Sequence, residues 1–191
     1  MSGARPTRVV VAEDEAIIRL DLKEMLEEEG LDVVGEAGDG DAALRLARDH
    51  SPDLVIMDIK MPGMDGLSAA ERIVDEELAA VLILTAFSQD ALVKRAAEAG
   101  AMGYLVKPFQ KSDLLPAIEV AVARGAQLAA LKREARDAAE RLATRKVVDR
   151  AKGRLMDRDG MTEADAFRHL QKRAMDERRS LKAVAEEVLE G

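Results

Sequence analysis

Three acidic residues, one hydroxyl and one lysine stand where four short apolar runs of the chain end. Glu13 and Asp14 follow the first run, Asp58 ends the third, Thr85 ends the fourth and Lys107 follows the fifth. Carboxylates that crowd together repel one another unless a hard cation joins them, and Mg²⁺ binds such oxygen ligands together with water. If the fold brings them together, Glu13, Asp14 and Asp58 predict a magnesium site.

The same residue types predict chemistry on a phosphoryl group. A carboxylate can attack phosphorus to form an acyl phosphate, while Mg²⁺ and a nearby ammonium neutralise charge on the transferring oxygens. In this interpretation Asp58 is the nucleophile and Lys107 supplies the ammonium. The Thr85 hydroxyl could then donate a hydrogen bond to the phosphoryl group and so report its presence. The alternative for each residue alone is a local role in a turn or at a helix end.

The elements that must position these residues follow from hydrophobic patterning. Five short apolar runs alternate with stretches that carry apolar residues at helical spacing. Such strands, joined by helices, indicate a parallel sheet covered on both faces, which is a doubly wound α/β fold. In these sheets the functional crevice lies at the carboxyl ends of the strands. The predicted strands are 8–12, 33–36, 54–57, 81–84 and 103–106.

Glycines and serines predict where the helices begin and end. Helices are expected to stop at Gly30, Gly100 and Gly125. Ser88 and Ser112 each precede an acidic residue and an apolar periodic segment, so they are expected N-caps.

Composition limits the classes of protein to which the chain can belong. It has 191 residues and a mass of 20.7 kDa, and 48% of them are apolar, so a packed core is expected. Because there is no Cys, disulfides, thiolate metal sites and thiol nucleophiles are excluded. Its four aromatic residues are too few for a platform that stacks successive bases on rings. Its apolar runs are too short for a signal peptide or a membrane span of ~18 residues, so a cytoplasmic protein with no membrane partner is expected.

Charge is distributed unevenly along the chain. The formal net charge is −8, of which residues 1–124 contribute −11 and residues 125–191 contribute +3. A basic segment attached to an acidic domain could dock on a polyanion, whereas the acidic domain would be repelled by it. The C-terminal third is therefore expected to decide the partner.

Residues 8–124 contain several short motifs in a fixed order. They are Glu13 and Asp14, the Asp-Ile-Lys-Met-Pro-Gly-Met-Asp-Gly stretch at 58–66, Thr85 with Ala86, and Lys107 with Pro108 and Phe109. This set resembles the receiver domain of two-component response regulators. The resemblance implies a flavodoxin-like receiver fold, with Asp58 phosphorylated by a sensor histidine kinase. The Lys107–Pro108 peptide bond could be trans or cis.

The receiver resemblance also implies roles for individual residues. Mg²⁺ would be bound by Asp14, Asp58 and the backbone carbonyl of Lys60, and Glu13 would assist through water. Thr85 and Tyr104 would form a coupled switch pair, in which the ring moves inward when the hydroxyl engages the phosphate.

The C-terminal third predicts a small all-α region. Residues 125–157 predict one long helix whose apolar positions step by three and four. This heptad-like seam could pair with another copy of the chain, giving a homodimer, or pack on the protein's own domains. Thr162 and Ser180 are expected N-caps of two further helices. The seam consists of Leu128, Leu131, Ala135, Ala138 and Leu142.

Six basic residues cluster near the end of the predicted long helix. Positions 146, 150 and 154 fall on one stripe that could follow a nucleic-acid backbone, and the alternative is a solvated helix face. Gly153 lowers helix stability relative to Ala, which indicates close approach by another helix or by RNA. The six are Arg145, Lys146, Arg150, Lys152, Arg154 and Arg158.

Residues 140–189 contain a second set of motif residues. They are Arg145, Val148, the Ala-Lys-Gly-x-Leu-Met motif at 151–156, Ala166, Phe167, Leu170, Ala174, Met175, Leu181, Val184 and Ala185. This set resembles the ANTAR domain of transcription antiterminators. The resemblance implies a three-helix domain that binds RNA hairpins and prevents transcription termination, often as a dimer formed on receiver phosphorylation. The candidate RNA contacts are Arg145, Lys146, Lys152 and Arg154.

These features predict a response regulator in which a receiver controls an RNA-binding antiterminator output. The expected parts are a receiver over 1–124, a helical linker over 125–139 and a three-helix domain over 140–191. No enzyme activity is expected beyond slow self-dephosphorylation of Asp58. Two alternatives stay open: a tail that mediates only protein contacts, and a Mg²⁺-dependent phosphohydrolase. The second is disfavoured because such enzymes usually need a second acid two residues on, where this chain has Lys60.

Overall fold

The computed structural model describes residues 5–86 and 90–190, which form two compact units, one up to residue 130 and one from residue 131. All five predicted strands are present in the first unit, so the predicted alternation of strands and helices is confirmed. The elements of the described chain are β1 (Arg8–Ala12), α1 (Ala16–Glu28), β2 (Asp32–Ala37), α2 (Gly40–His50), β3 (Leu54–Asp58), α3 (Gly66–Asp75), β4 (Ala80–Thr85), α4 (Asp90–Glu98), β5 (Gly103–Val106), α5 (Lys111–Asp159), α6 (Glu163–Glu177) and α7 (Leu181–Glu190).

The strands form one parallel sheet in the order β2-β1-β3-β4-β5. The chain moves outward from β1 to β2 and then returns past β1 to β3, so the direction of winding reverses between β1 and β3. The predicted doubly wound fold is confirmed. Because ligands of such sheets bind where the winding reverses, the ends of β1 and β3 mark the place to search for a site.

Alternate residues of each strand supply two cores, because neighbouring side chains of a strand point to opposite faces of the sheet. Val10 and Ile83 belong to the core that includes residues of α2 and α3. Val9 and Ile56 belong to the core that includes residues of α1 and α5. The near-continuous apolar character of the strands follows from burial on both faces.

Helix α5 is longer than predicted, because it begins at Lys111 and continues to Asp159. The prediction that Gly125 ends a helix is wrong. A Cβ atom at position 125 would lie 2.6 Å from the Cβ atom of Ala80. The glycine therefore permits close approach between α5 and the start of β4, and it does not act as a stop signal.

The other boundary predictions have different outcomes. Gly30 and Gly100 follow α1 and α4 with φ angles of 79° and 77°, so both predicted stops are confirmed. Ser112 lies inside the first turn of α5 rather than before it, so the predicted cap is wrong. The carboxylate of Asp113 accepts a hydrogen bond from the Gln110 backbone N–H at 3.0 Å instead. The predicted cap at position 88 lies outside the described residues.

In the part of the chain that the structure describes, one helix is long and apolar enough to cross a membrane by length and composition, and it is α5. Its Leu114, Ile118 and Ala121 are buried in the sheet core. Glu119 and Arg124 lie within the same stretch. This is the pattern of an amphipathic helix that covers one face of a sheet.

The second unit is a three-helix bundle made by the last part of α5 together with α6 and α7. Thr162 Oγ1 accepts a hydrogen bond from the Asp165 N–H at 3.2 Å, and Ser180 Oγ accepts one from the Ala183 N–H at 3.1 Å. Both predicted caps are confirmed. The core of the bundle consists of Val148, Ala151, Leu155, Ala166, Leu170, Val184, Ala185 and Val188.

Candidate functional site

Backbone hydrogen bonds align the ends of three strands at one edge of the sheet. The Ile59 N–H, directly after β3, donates to the Leu84 carbonyl of β4 at 3.2 Å. The Lys107 N–H, directly after β5, donates to the Thr85 carbonyl at 2.7 Å. The residues that follow these strands therefore meet at one place, as the pattern of strand ends predicts.

Three carboxylates form the centre of this edge. One oxygen from each of Glu13, Asp14 and Asp58 lies within 4.8 Å of the other two. The three differ in exposure: Glu13 is fully buried and Asp58 is 8% exposed, whereas Asp14 is exposed to solvent. A group of this size and chemistry fits a single hard cation that keeps part of its water shell on the exposed side.

The Lys107 side chain extends between the two buried carboxylates. Its Nζ atom lies 2.5 Å from Glu13 Oε2 and 3.3 Å from Asp58 Oδ1. The side chain is 16% exposed, so water screens these charges less than it does at a surface. Glu13 and Asp58 come from different strand ends, so the lysine also joins β1 and β3 to the end of β5.

Burial governs the pKa of both buried carboxylates. It raises the pKa of Asp58 above its usual range, although the Lys107 charge acts in the opposite direction. It raises the pKa of Glu13 in the same way, again against Lys107. Burial acts to lower the pKa of Lys107, but the hydrogen bond from Lys107 to Glu13 and the two carboxylate charges raise that pKa overall. The cluster has more negative charge than one lysine balances, which favours a cation.

The loop from β3 to α3 folds back onto the Asp58 backbone. The Gly66 N–H donates to the Ile59 carbonyl at 2.9 Å. A Cβ atom on Gly66 would lie 1.9 Å from the Asp58 carbonyl oxygen, so only glycine fits at this position. Asp65 caps α3 by accepting a hydrogen bond from the Ser68 N–H at 2.8 Å. The motif at 58–66 therefore has a structural reason for its glycine and for its second aspartate.

A cavity of about 370 Å³ opens beside the carboxylates. Asp14 and Lys60 line it, which brings the predicted metal-ligand segment to the same place as the acidic cluster. Arg95, from α4, also lines the cavity and is not among the residues predicted from the sequence. Its position in the last turn of a surface helix looks like an ordinary solvated charge, so no signal in the sequence distinguishes it.

The two predicted switch residues occupy different environments. Thr85, the last residue of β4, is 3% exposed. Tyr104 lies on the neighbouring strand β5, opposite Ile83, and its side chain is 47% exposed. Thr85 is therefore buried at the end of its strand, whereas the Tyr104 ring is accessible to solvent.

Among the candidate RNA contacts of the second unit, Lys152 is engaged within the bundle. Its Nζ atom lies 2.8 Å from Asp149 Oδ1 and 2.8 Å from Glu163 Oε1. Its ammonium also lies 6.0 Å from the centre of the Phe167 ring, and only 15% of the side chain is exposed. The lysine therefore joins α5 to α6.

The other three candidates are more accessible. Arg145 is 82% exposed and pairs loosely with Asp149 at 3.8 Å. Lys146 is exposed on the adjacent position of α5. Arg154 donates a hydrogen bond from Nη1 to the Leu189 carbonyl of α7 at 3.1 Å. The four candidates therefore do not form one uniform surface.

Comparison with known families covers both units. Residues 9–119 match the family described as the response regulator receiver domain, and residues 136–189 match the ANTAR domain family. The receiver match alone includes more than half of the chain.

Comparison with individual proteins gives a similarity over nearly the full length. The chain is 59% identical to the transcriptional regulatory protein PdtaR of Mycobacterium tuberculosis, over 98% of this chain and 92% of that protein. It is 41% identical to the chemotaxis protein CheY of Bacillus subtilis, over 58% of this chain and 93% of that one.

Two solved structures share the fold of the first unit. The signal receiver domain of the response regulator NarL of M. tuberculosis superimposes with a TM-score of 0.61 at 35% identity, and the match covers 63% of this chain and 98% of that one. The CheX-CheY-BeF3-Mg complex of Borrelia burgdorferi superimposes with a TM-score of 0.57 at 28% identity, and the match covers 59% of this chain and 87% of that one. Together with the two family matches, these similarities show that the chain belongs to the two-component response regulators, as a receiver domain followed by an ANTAR domain, the RNA-binding output of transcription antiterminators.

Proposed function

We propose that Asp58 accepts a phosphoryl group from a phosphorylated histidine of a sensor histidine kinase. An Asp58 carboxylate oxygen forms a bond to phosphorus while the bond between phosphorus and the histidine nitrogen breaks, and that nitrogen keeps the electron pair. The observation that carries the proposal is the Lys107 ammonium, 3.3 Å from Asp58 Oδ1. It places a fixed positive charge beside the position that the incoming phosphoryl oxygens would take.

The acidic cluster fits Mg²⁺, and its members are not equivalent as ligands. Asp14 and Asp58 would supply carboxylate oxygens, and the Lys60 backbone carbonyl would be the third protein ligand. Glu13 would act through water, because its Oε2 atom is already paired with Lys107 at 2.5 Å. When bound, Mg²⁺ neutralises charge on the phosphoryl oxygens. The solved CheX-CheY complex that this chain resembles contains BeF3 and Mg, which supports Mg²⁺ as the cation.

The relatives with the same domains are regulators, not classical enzymes. We infer that turnover by this chain is limited to slow hydrolysis of its own acyl phosphate. Lys60 stands two residues after Asp58, where a phosphohydrolase usually has a carboxylic acid to protonate the leaving group. Sustained release of phosphate from added phosphomonoesters would contradict this inference.

Phosphorylation is expected to move Tyr104 from solvent into the protein as the Thr85 hydroxyl engages the phosphoryl group. The chain has one tyrosine and no tryptophan, so its intrinsic fluorescence reports on this ring alone. The ring is 47% exposed. Addition of Mg²⁺ and beryllium fluoride, a phosphoryl mimic, should therefore lower collisional quenching of the fluorescence by acrylamide.

The matched control for the fluorescence experiment is Thr85→Val, which keeps the shape of the side chain and removes the hydroxyl. This variant should bind the mimic without the change in quenching. If quenching of the unsubstituted protein is the same with and without the mimic, Tyr104 is not part of the switch.

The ANTAR domain is expected to bind tandem RNA hairpins more tightly when Asp58 carries the phosphoryl mimic. Each contact with a phosphate releases counterions, so affinity falls as salt rises. For four such contacts, raising the salt from 50 to 200 mM should weaken binding about a hundredfold. The measurement is a titration of the full chain onto hairpin RNA, with and without beryllium fluoride, at two salt concentrations. Absence of binding in every condition would favour a tail that contacts only proteins.

The extent of the parts and the assembly also belong to this proposal. We infer a receiver over 1–124, a helical linker over 125–139 and the ANTAR domain over 140–191, in a cytoplasmic protein. The heptad-like seam supports a homodimer formed on phosphorylation, because Leu128, Leu131 and Leu142 are 37%, 55% and 55% exposed. A leucine seam on an exposed helix gains from burial against a second copy.

A further inference from the structure

The last turns of α5 form one wall of a groove in the second unit. The groove encloses about 570 Å³. We call it the arginine groove, because three of its six lining residues are arginines at intervals of four. The lining residues are Arg150, Gly153, Arg154, Asp157, Arg158 and Leu189.

Two arginines of this groove, Arg150 and Arg154, differ in their partners from the cations that hold the bundle together. Arg173 and Arg179 pair with carboxylates of α6 and α7, and Lys152 pairs with Asp149 and Glu163. Within residues 5–86 and 90–190, no carboxylate lies within ion-pair distance of Arg150 or Arg154. Their charge is therefore available to an anion.

The direction of the Arg154 guanidinium is set by the bundle. Its Nη1 atom donates a hydrogen bond to the Leu189 carbonyl at 3.1 Å, which holds the planar guanidinium at the groove wall. A guanidinium has five N–H donors, so others are left to bind a ligand. Arg158, one turn further along, is held by two bonds of 2.9 Å to Asp159. Asp157 adds one negative charge to the same end of the groove. Positive charge is therefore concentrated at the Arg150 and Arg154 end.

Gly153 forms part of the groove floor beside these two arginines, and the packing of the protein gives no reason for it. A Cβ atom at this position would meet nothing within 4 Å. Glycine inside a helix lowers stability by about 1 kcal/mol relative to Ala. The sequence pattern indicates close approach by another helix or by RNA, and no neighbouring helix of the described chain comes within 4 Å of this Cβ position. The open floor leaves room for a ligand backbone.

We propose that the arginine groove binds the phosphate backbone of the RNA hairpin, with Arg150 and Arg154 as the contacting cations over Gly153. The inference rests on the proposed RNA-binding function. Residues four apart on a helix are separated by about 6 Å along its axis, so the two guanidiniums can reach different phosphates. Lys152, between them in sequence, holds α5 to α6 and is a positioning residue.

The first test removes the charge of the groove in the full chain. Arg150→Gln/Arg154→Gln is expected to weaken binding to tandem hairpin RNA roughly tenfold, and to lower the slope of log affinity against log salt by about two. The matched control is Arg168→Gln/Lys172→Gln, which removes the same charge from exposed positions of α6. The control should bind like the unsubstituted protein.

The second test closes the groove without changing charge. Gly153→Leu places a side chain over the open floor, so RNA affinity should fall at least tenfold while the thermal midpoint of unfolding stays the same or rises. Loss of binding together with a rise in thermal stability cannot come from misfolding. The probe is the same hairpin RNA, bound at the same two salt concentrations.

The possible results separate this inference from the proposed function. Absence of RNA binding by the unsubstituted protein overturns both. Binding by that protein that is unaffected by either groove variant overturns the inference and leaves the RNA-binding function standing. Loss of binding in the α6 control, with normal binding by the groove variants, places the RNA on α6 and also overturns the inference. Loss in both groove variants with an unaffected control establishes the groove.

Discussion

Asp58→Asn is expected to abolish transfer of the phosphoryl group from a phosphorylated kinase, so that radiolabel on the protein falls to background. The amide of Asn cannot form the acyl phosphate, since it has no carboxylate oxygen for attack on phosphorus. The fold should persist, because the two side chains have the same shape and Glu13 keeps its 2.5 Å pair with Lys107. Burial raises the pKa of Asp58 because it disfavours the charged carboxylate. A neutral amide at this position removes that desolvation cost, so the free energy of unfolding should not fall.

The control for this prediction lies in the same loop. Asp65→Asn makes the same chemical change seven residues away, at the N-cap of α3. Asn caps helices about as well as Asp, so both stability and labelling should be retained. Labelling of Asp58→Asn at the level of the unsubstituted protein would show that another residue accepts the phosphoryl group.

Gly66→Ala is expected to lower the free energy of unfolding by about 3 kcal/mol and to prevent labelling of Asp58. The added Cβ atom would lie 1.9 Å from the Asp58 carbonyl oxygen and 3.1 Å from the Ile59 Cα atom, both of which are backbone atoms. Side-chain rotation cannot relieve such contacts, so the loop must move. Helix propensity alone predicts that Gly66→Ala raises the free energy of unfolding, because Ala is more favourable than Gly in the first turn of α3.

Urea unfolding and kinase labelling of the same preparations would measure both effects of Gly66→Ala. Gly38→Ala serves as the control, because its Cβ atom would lie 3.7 Å from the Arg19 side chain, which is an ordinary van der Waals distance. A midpoint and labelling for Gly66→Ala that match those of the control would refute the steric account of the loop.

Much of the receiver site could be predicted because each apolar strand that leads to it ends at a polar or charged residue or is followed at once by one. Apolar runs stop at Glu13, Asp58 and Lys107, and the geometry of a parallel sheet then places all three at one edge. Gly125 shows where this type of reasoning fails. A glycine that ends a helix and a glycine that permits close approach look alike in sequence, and here the contacting residue, Ala80, is distant in the chain.

The candidate RNA contacts were less predictable for a similar reason. Lys152 and Arg154 have the same charge and lie two residues apart, yet Lys152 is paired with Glu163 and Arg154 is not. That difference depends on the direction in which α6 leaves the turn after α5. Local periodicity has no information about this direction, so a basic run alone cannot separate cations that hold a bundle together from cations that face a ligand.

The continuity of α5 affects how the protein can be divided for study. The two units meet between residues 130 and 131, at an internal peptide bond of this helix rather than in a loop. A fragment that ends there would leave its last four carbonyls without their helical partners, and a fragment that begins there would lose the same bonds from its first four N–H groups. Fragments of the two halves made for study should therefore overlap by at least one helical turn.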